Sequence, residues 1–268
     1  MAFYVKKIGK LEYSVCDTIN AAHCFSTRLG GVSQGYLSGL NLGHHRGDAP
    51  KNVLENYRIL GNAVGFGLKD LVFTLQTHTD IVRRVDRENA GEGLFFPVEP
   101  ECDALITDTP GLALTVFTAD CTPILLHDPV TGAVGAIHAG WRGTVAGIAA
   151  KTVAAMIFHY GTDPAHIRAA IGPNIGACCF ETGEDVPRAL RECLGEAAEE
   201  FIRPAGEKFY VDLKGANRRI LEKAGVKHIE MSRECTACDT DRYWSHRRVG
   251  AARGSMAAII VCGKEWEK

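Results

Sequence analysis

Short apolar runs in the middle and at the end of the chain predict β-strands. Runs of four to six apolar or β-branched residues bounded by turn residues are typical of buried strands. Seven such runs lie at 71–74, 81–85, 104–107, 112–117, 124–127, 133–137 and 257–261. A turn sequence, Asp128 to Gly132, separates two of them, so the segment 112–138 is predicted to form a hairpin.

Apolar residues three or four positions apart predict helices between these strands. One face of the segment 144–159 is apolar, and Gly161 ends the pattern. Three further helices are predicted at 51–63, 185–201 and 213–224. The last of these is capped by Asp212 and ended by Gly225.

The order of the predicted elements bears on the fold class. Strands and helices are interleaved, but the region 71–138 is rich in strands and contains a hairpin. This favours a mixed α+β architecture over a doubly wound parallel sheet. No Pro-rich or Ser-rich linker divides the chain, so we expect residues 1–268 to form a single domain.

Composition narrows the class of protein. Of 268 residues, 46% are hydrophobic and 23% are charged, as in soluble globular proteins. The net charge of −2 indicates neither a nucleic acid nor an anionic membrane as partner. The N-terminus lacks the apolar core of a secretory signal, and no apolar stretch is long enough to span a bilayer. We therefore expect a cytoplasmic protein.

The chain contains ten cysteines and ten histidines, residues that bind soft metals and act as nucleophiles. In a reducing compartment most of the cysteines are expected to be small buried hydrophobes. One pair, Cys235-Thr-Ala-Cys238, has the Cys-x-x-Cys spacing, but a single pair is weak support for structural zinc. A redox pair and two buried thiols both remain open interpretations.

Three short segments place metal-binding residue types at predicted strand ends. They are Gln76-Thr77-His78, Ala119-Asp120-Cys121 and His138-Ala-Gly-Trp-Arg-Gly. Their separations are too long for a zinc finger but suit a site assembled from several strands. His78, Cys121 and His138 would give zinc three protein ligands and leave the fourth position open, as catalytic zinc requires. Spacing alone does not establish that the three meet.

Two further segments have features of anion-binding loops. The glycines after His138 open onto a predicted helix, where Arg142 would add a donor to the free backbone N–H groups. A second loop combines Ser26 and Arg28 with paired glycines, and Arg247 lies in a basic run near the C-terminus. We take these four residues as candidate phosphate ligands. Asp120 would either orient a ligand histidine or play a structural part.

Taken together, the segments resemble the YfiH-type family. The resemblance rests on Arg28-Leu-Gly-Gly-Val-Ser, Asn41-Leu-Gly, Gln76-Thr-His78, Ala119-Asp-Cys121-Thr-Pro, His138-Ala-Gly-Trp-Arg-Gly, Ile171-Gly-Pro-Asn-Ile-Gly, and Ser245-His-Arg-Arg followed by Arg253. These segments occur in family order over about residues 20–262. The family was first labelled multicopper polyphenol oxidase (laccase) and is now regarded as purine nucleoside phosphorylases.

The resemblance implies a fold, a metal and a reaction. The fold is a single α+β domain with two mixed sheets packed between helices, in α/β/β/α layers. The metal is a catalytic zinc on His78, Cys121 and His138, and Asn41 joins the candidate substrate-binding residues. The reaction is phosphorolysis of adenosine, inosine or guanosine to the free base and ribose 1-phosphate, with methylthioadenosine cleavage and adenosine deamination as related activities.

Other functions remain open at the level of sequence. Cys121 with His78 or His138 as base would suit a cysteine-nucleophile hydrolase, such as an amidase acting on peptidoglycan precursors. A polyphenol oxidase would hold copper instead of zinc, but the repeated His-x-His pairs of multicopper oxidases do not occur. A non-catalytic zinc module normally uses four protein ligands. The oligomeric state stays open.

Overall fold

Two six-stranded sheets lie face to face in the computed structural model, which describes residues 2–265. In spatial order, the first sheet contains β1 (Phe3–Ile8), β2 (Leu11–Cys16), β3 (Ala21–Ser26), β15 (Met256–Glu265), β7 (Ala113–Thr118) and β4 (Leu71–Phe73). The second contains β14 (His228–Met231), β10 (Arg168–Ile171), β8 (Thr122–His127), β9 (Val134–Ala139), β6 (Ala104–Thr107) and β5 (Val82–Arg84). A small third sheet contains β11 (Glu181–Thr182), β13 (Lys208–Val211) and β12 (Ile202–Ala205).

Both large sheets are mixed. In the first, β4 pairs with β7 in parallel, whereas β7 pairs with β15 antiparallel. In the second, β10 and β14 are parallel, and β8 and β9 are antiparallel. The mixed α+β class is therefore confirmed.

Alternation of side chains along the strands produces the layers. On β15, Ala258 and Ile260 face inward and pack with Leu125 of the second sheet in the core between the sheets. The intervening residues Ala257 and Ile259 face outward into a second core. One strand thus contributes to two cores, which explains why its residues form a continuous apolar run.

Helices cover the outer faces of both sheets. One long helix, α1 (Pro50–Val64), packs on the first sheet. The second sheet carries α3 (Ile148–Tyr160), α4 (Asp185–Leu194) and α5 (Leu213–Lys223). Two short helices, α2 (Trp141–Val145) and α6 (His246–Val249), lie near the predicted site segments. The α/β/β/α order is confirmed. No helix in the described part of the chain has the length and apolar character needed to cross a membrane.

Two predicted helices are shorter than expected. The segment 144–159 is divided between α2 and α3, because Gly147 takes a left-handed conformation with φ 78°. The segment 185–201 ends as an α-helix at Leu194, and a 3-10 helix, Gly195–Phe201, follows. Gly195 also has positive φ, so in both places a glycine interrupts the helical backbone.

The hairpin predicted over 112–138 is wrong for its first strand, residues 113–118. The hairpin is formed by β8 and β9, which pair from Thr122–Ala139 to His127–Val134. The preceding strand, β7, belongs to the other sheet and pairs with β15 and β4. The chain therefore crosses from one sheet to the other between Thr118 and Thr122, and the backbone of Asp120 there has φ 91°. This crossing brings the predicted site segments together.

Candidate metal centre

The three predicted metal ligands meet at the crossing between the sheets. His78 lies in the turn after β4, Cys121 lies in the crossing, and His138 is on β9. One donor atom from each residue lies within 4.8 Å of the other two. Cys121 Sγ is 3.8 Å from His78 Nε2, and the two imidazole rings are nearly perpendicular at 5.0 Å.

A fully buried carboxylate, Asp103, holds both histidines. Its Oδ1 accepts hydrogen bonds from His138 Nδ1 at 2.7 Å and from the His78 backbone N–H at 3.2 Å. Its Oδ2 accepts from the Thr79 backbone N–H and hydroxyl at 2.7 and 2.8 Å. Because His138 Nδ1 donates to Asp103, Nε2 is the ring nitrogen left to bind a metal ion once it has lost its proton. Sequence reasoning missed Asp103; the available signal was an acidic residue directly before the apolar run 104–107.

The turn that carries His78 is fixed by the side-chain amide of Gln76, which makes the two hydrogen bonds that a strand backbone would make. Gln76 Nε2 donates to the Phe117 carbonyl at 2.8 Å, and the Phe117 N–H donates to Gln76 Oε1 at 2.6 Å. This pair prolongs the contact of β4 with β7 after β4 has ended. It holds the chain while His78 takes a φ of 65°, which is uncommon for a residue other than glycine.

Gly140 leaves room for this arrangement. A Cβ at this position would lie 2.7 Å from His78 Cδ2 and 3.4 Å from Cys121 Sγ. A glycine is therefore needed at position 140 because His78 and Cys121 approach it closely. Its backbone conformation does not demand a glycine, since its φ is −65°.

The electrostatics of the site favour a thiolate. Burial alone would raise the pKa of Cys121, but the charge of His138 and hydrogen bonds from both histidines lower it. Burial alone would lower the pKa of His138, but Cys121 and Asp103 raise it. For Asp103, the hydrogen bonds from His138 and Thr79 outweigh burial and lower the pKa to about 2. A thiolate is the form of cysteine that binds metals.

The three donors line a cavity of about 690 Å³, a volume typical of small-molecule sites. The apolar part of its wall consists of Phe73, Leu75, Leu94, Phe95, Phe96, Pro97, Val98, Phe117 and Ala119. Phe95 and Phe96 are exposed at the rim, whereas Phe73 and Phe117 pack edge-to-face at 5.0 Å. The cavity thus offers aromatic faces at both its floor and its mouth.

Two arginines give one side of the cavity positive charge. Arg46 Nε and Arg253 Nη1 both point to Ser255 Oγ, at 3.3 and 3.5 Å. Burial, together with the charge of Arg46, lowers the pKa of Arg253 to about 10. Among the side chains that the structure describes, residues 2–263, neither arginine forms an ion pair with a carboxylate. Two neighbouring unpaired cations are a favourable environment for an anion.

The first predicted anion loop lies elsewhere. Ser26 is buried in β3, where its hydroxyl accepts from the Ala257 N–H at 3.0 Å. Asn41 is fully buried and bonds the backbone of Gly43 and Ser255 at 3.0 Å each. Neither side chain is part of the cavity wall. Asn41 instead fixes the two segments that carry the cavity arginines.

The three predicted phosphate-binding arginines also have other partners. Arg28 stacks on Trp244 at 3.7 Å, and Arg142 is exposed over its neighbour Trp141 at 4.3 Å. Arg247 donates to the carbonyls of Cys179 and Glu181 at 2.9 and 3.0 Å.

None of the three arginines belongs to the described lining of the cavity. Because α2 has only five residues, the helix terminus beside Arg142 is also a poor anion site.

Asp120 does not orient a ligand histidine. Its carboxylate accepts hydrogen bonds from the hydroxyls of Thr236 and Ser245, at 2.6 and 3.0 Å, and from the Arg247 backbone N–H at 2.7 Å. These bonds hold the crossing turn against the C-terminal segment. The orienting contact expected from Asp120 is made by Asp103, because Asp103 precedes β6, the strand next to β9.

The fold and the three-donor site define a candidate metalloenzyme. The chain belongs to the family described as multi-copper polyphenol oxidoreductase laccase, whose model matches residues 22–263. It is 41% identical over 239 residues to a purine nucleoside phosphorylase of Deinococcus radiodurans, covering 89% of this chain and 88% of that protein. It is 36% identical to "Adenosine deaminase RL5" of an unknown prokaryote, over 92% of this chain and 96% of the relative.

A solved structure agrees with these relatives. The crystal structure of the hypothetical protein YfiH of Bacillus licheniformis matches with a TM-score of 0.91 at 34% identity, covering 96% of this chain and 98% of that one. The resemblance to the YfiH-type family is confirmed.

Proposed function

We propose that this chain is a cytoplasmic, zinc-dependent purine nucleoside phosphorylase. Its substrates would be adenosine, inosine, guanosine and methylthioadenosine with phosphate, and its products the free base and the pentose 1-phosphate, with adenosine deamination as a second activity. The observation that carries the proposal is the cavity itself. Three candidate metal donors line it, and so do two neighbouring arginines that form no ion pair with a described carboxylate. The names of the relatives support the same assignment.

Zinc suits the donor set at His78, Cys121 and His138. Tetrahedral zinc, with bonds of about 2.0–2.3 Å to nitrogen and sulfur, places donors about 3.5 Å apart. The 3.8 Å between Cys121 Sγ and His78 Nε2 needs little adjustment. When bound, zinc would act as a Lewis acid that stabilises the negative charge left on the purine as its bond to ribose breaks.

The arginine pair is the proposed phosphate site. Arg46 and Arg253 present guanidinium donors from two segments, and Ser255 between them adds a hydroxyl. Phosphate held there would attack C1′ of the nucleoside while the bond from C1′ to N9 breaks and the base leaves with its electron pair. Paired guanidinium groups bind phosphate with charge-assisted hydrogen bonds and fix its orientation.

The aromatic part of the cavity is the proposed purine site. Phe95 and Phe96 are exposed at the rim, and a flat base could stack on either ring. Phe73 and Phe117 at the floor would exclude water from the opposite side. Such contacts recognise a purine by its flat apolar faces.

The test is a product assay on protein of known metal content. Adenosine, inosine, guanosine and methylthioadenosine are incubated with and without phosphate, and the products are separated. We expect phosphate-dependent release of adenine, hypoxanthine and guanine, and phosphate-independent formation of inosine from adenosine. The His78→Ala variant should lose both activities and its catalytic zinc. Release of bases at the same rate without phosphate would contradict the assignment.

A cysteine-nucleophile hydrolase is the second candidate, because the surroundings of Cys121 favour its thiolate next to His138. Alkylation separates the two functions. If Cys121 is a metal ligand, bound zinc should protect it from iodoacetamide, and modification should release the ion. A hydrolase would lose amidase activity on alkylation with no change in metal content.

A further inference from the structure

A second group of soft ligands lies outside the cavity. Cys178 and Cys179 are adjacent in the turn before β11, and Cys235 and Cys238 flank the turn before α6. The four Sγ atoms all lie within 4.8 Å of one another. Cys238 Sγ is 3.5 Å from Cys178 Sγ and 3.4 Å from Cys179 Sγ. The fold thus supplies the second pair that Cys235-Thr-Ala-Cys238 lacks in sequence.

The sulfur spacing fits a single tetrahedral ion. With zinc–sulfur bonds of about 2.3 Å, a tetrahedron places its sulfurs about 3.8 Å apart. A disulfide needs sulfurs about 2.05 Å apart and joins only two of them. Cys238 stands at nearly equal distances from both members of the adjacent pair. This equal spacing indicates a shared centre and not a pairwise bond.

Hydrogen-bond donors approach two of the four sulfurs. The Gly176 backbone N–H donates to Cys235 Sγ at 3.1 Å, and Arg248 Nη2 approaches Cys179 Sγ at 3.6 Å. Gly176 also leaves space, since a Cβ there would lie 3.3 Å from Cys178 Sγ. Donors of this kind offset the negative charge that four thiolates leave around a divalent ion.

A buried cation is bonded to the backbone directly before the cluster. Lys214 Nζ donates to the carbonyls of Ser232 and Glu234, at 2.7 and 2.6 Å, directly before Cys235. Burial lowers the pKa of Lys214 to about 8, while negative charge on Asp212, and then on Cys235, Glu234 and Cys178, acts in the opposite direction. Thiolates at the cluster would therefore favour the charged form of this lysine.

The cluster is coupled to the crossing turn at the metal centre. Thr236, between the two cysteines of the Cys-x-x-Cys pair, donates to Asp120 Oδ1 at 2.6 Å. On the other arm of the cluster, the Ile175 N–H donates to the Asp120 carbonyl at 2.9 Å. A bound ion would hold these two arms together and so support the turn that carries Cys121.

We propose that Cys178, Cys179, Cys235 and Cys238 form a structural zinc site, separate from the site formed by His78, Cys121 and His138. Four protein ligands leave no open position, as is usual for structural zinc. Binding would release the remaining thiol protons to solvent as each sulfur donates a lone pair, with no change in oxidation state. Cys178 and Cys238 are exposed, so the ion can enter from solvent.

Metal stoichiometry tests the proposal independently of any enzymatic activity. The full chain, purified under reducing conditions and measured by mass spectrometry, should carry two zinc ions. His78→Ala should retain one. Cys238→Ser should also retain one, and Cys193→Ser, a half-buried cysteine outside the cluster, should keep both. A single zinc in the unmodified chain, unchanged by Cys238→Ser, would overturn the proposal, as would copper or iron in place of zinc.

Alkylation of the unmodified chain gives a second readout that needs no variant. In the zinc-loaded protein the four cluster cysteines should resist iodoacetamide, and a strong chelator should make all four reactive, as peptide mapping would show. Cobalt replacing zinc in His78→Ala should give the sulfur-to-metal absorption of a four-thiolate site. Disulfides at these cysteines under reducing purification, or reactivity that the chelator does not change, would contradict the proposal.

Discussion

One buried carboxylate organises the metal centre. Asp103 accepts one hydrogen bond from the His138 ring and one from the backbone N–H of His78. Both donors therefore depend on one side chain that would not itself touch the ion. Such positioning residues commonly affect metal affinity nearly as strongly as the ligands do.

Replacing this carboxylate by an amide should weaken metal binding. Asp103→Asn removes the charge that holds the His138 Nδ1 proton and places an NH₂ group beside donors. We expect zinc affinity to fall about 10- to 100-fold, measured by competition with a chromogenic chelator. Asp128→Asn, at a buried aspartate in the β8–β9 turn, is the control and should retain zinc affinity. Equal affinity in the Asp103 variant would show that the carboxylate does not position the ligand.

His23 is held neutral by burial and by the N–H that its Nε2 accepts from. Nδ1 donates to the Ala21 carbonyl at 2.7 Å, and Nε2 accepts from the Cys16 N–H at 2.8 Å. A proton on Nε2 would face another N–H. Burial lowers the pKa of His23 to about 4, and burial likewise lowers the pKa of His127 to about 4.

Acid should therefore destabilise the fold before its carboxylates titrate. Below pH 6.5 the unfolded chain gains protons at these histidines, whereas the folded chain does not until about pH 4. The stability that comes from keeping these two histidines neutral is complete above pH 6.5 and is lost between pH 6.5 and 4, by up to about 1.4 kcal/mol per histidine per pH unit. Urea unfolding across this range measures the slope.

A matched pair of variants tests whether His127 contributes to this change of unfolding free energy with pH. His127→Gln should remove about half of it, while His159→Gln, at an exposed position on α3, should leave it intact. A slope unchanged in His127→Gln would mean that other groups cause the acid sensitivity.

Strand ends and turns, more than the elements themselves, determine the site. The strand β9 delivers His138, and the next residue but one, Gly140, passes close to the turn after β4. A methyl group at this junction must displace the His78 ring, since its Cβ would come within 2.7 Å of Cδ2. The close approach of two elements from different sheets thus depends on one missing side chain.

Gly140→Ala should consequently damage the metal site and spare the fold. We expect zinc affinity to fall by about tenfold or more, while the thermal unfolding midpoint of the metal-free protein changes little. The control is Gly135→Ala on β9, the strand that ends directly before Gly140, where a Cβ meets its nearest neighbours at an ordinary 3.5 Å. If both variants bind zinc like the unmodified chain, the contact between Gly140 and His78 is not limiting.

Sequence patterns identify the central strands better than the first three. The runs at 104–107 and 113–117 are apolar on both faces because each strand lies between two cores. Strands β1 to β3 mix lysine, glutamate and histidine with apolar residues, so no continuous apolar run marks them in the sequence. His23, for example, is fully buried although no local pattern predicts it.

The site shows the same division. The three donors of the candidate metal centre could be predicted to form one group, because His and Cys are distinctive residue types at strand ends. Asp103, Arg46 and Arg253 could not, because their importance arises only when distant segments meet. Phosphate binding by the loop arginines stays a prediction, and without substrate Arg28 stacks on an aromatic ring and Arg247 donates to backbone carbonyls, partners that the sequence does not indicate.

At the scale of the whole molecule, two segments far apart in the sequence meet at one wall of the cavity. Arg46 comes from the loop before α1, and Arg253 comes from the segment before β15. Asn41 joins the two segments by bonding to both Gly43 and Ser255. The arginine pair therefore exists only in the complete fold, which places it beside a metal centre built from the middle of the chain.

Removing one of these charges should separate phosphate binding from metal binding. Arg253→Gln keeps a hydrogen-bonding side chain but removes the positive charge. A hydrogen bond to a charged group contributes about 1.5–3 kcal/mol, so KM for phosphate should rise about 10- to 100-fold. Zinc content should not change, and adenosine deamination, which uses no phosphate, should fall less than phosphorolysis.

Arg142→Gln is the matched control, because Arg142 is exposed over Trp141 outside the cavity wall. It should leave KM for phosphate unchanged. If Arg142→Gln raises that KM and Arg253→Gln does not, the phosphate enters along α2 and the cavity arginines serve another group of the substrate. Because Arg142 and Arg253 lie on different segments, comparing KM for phosphate in the two variants decides which segment binds the phosphate.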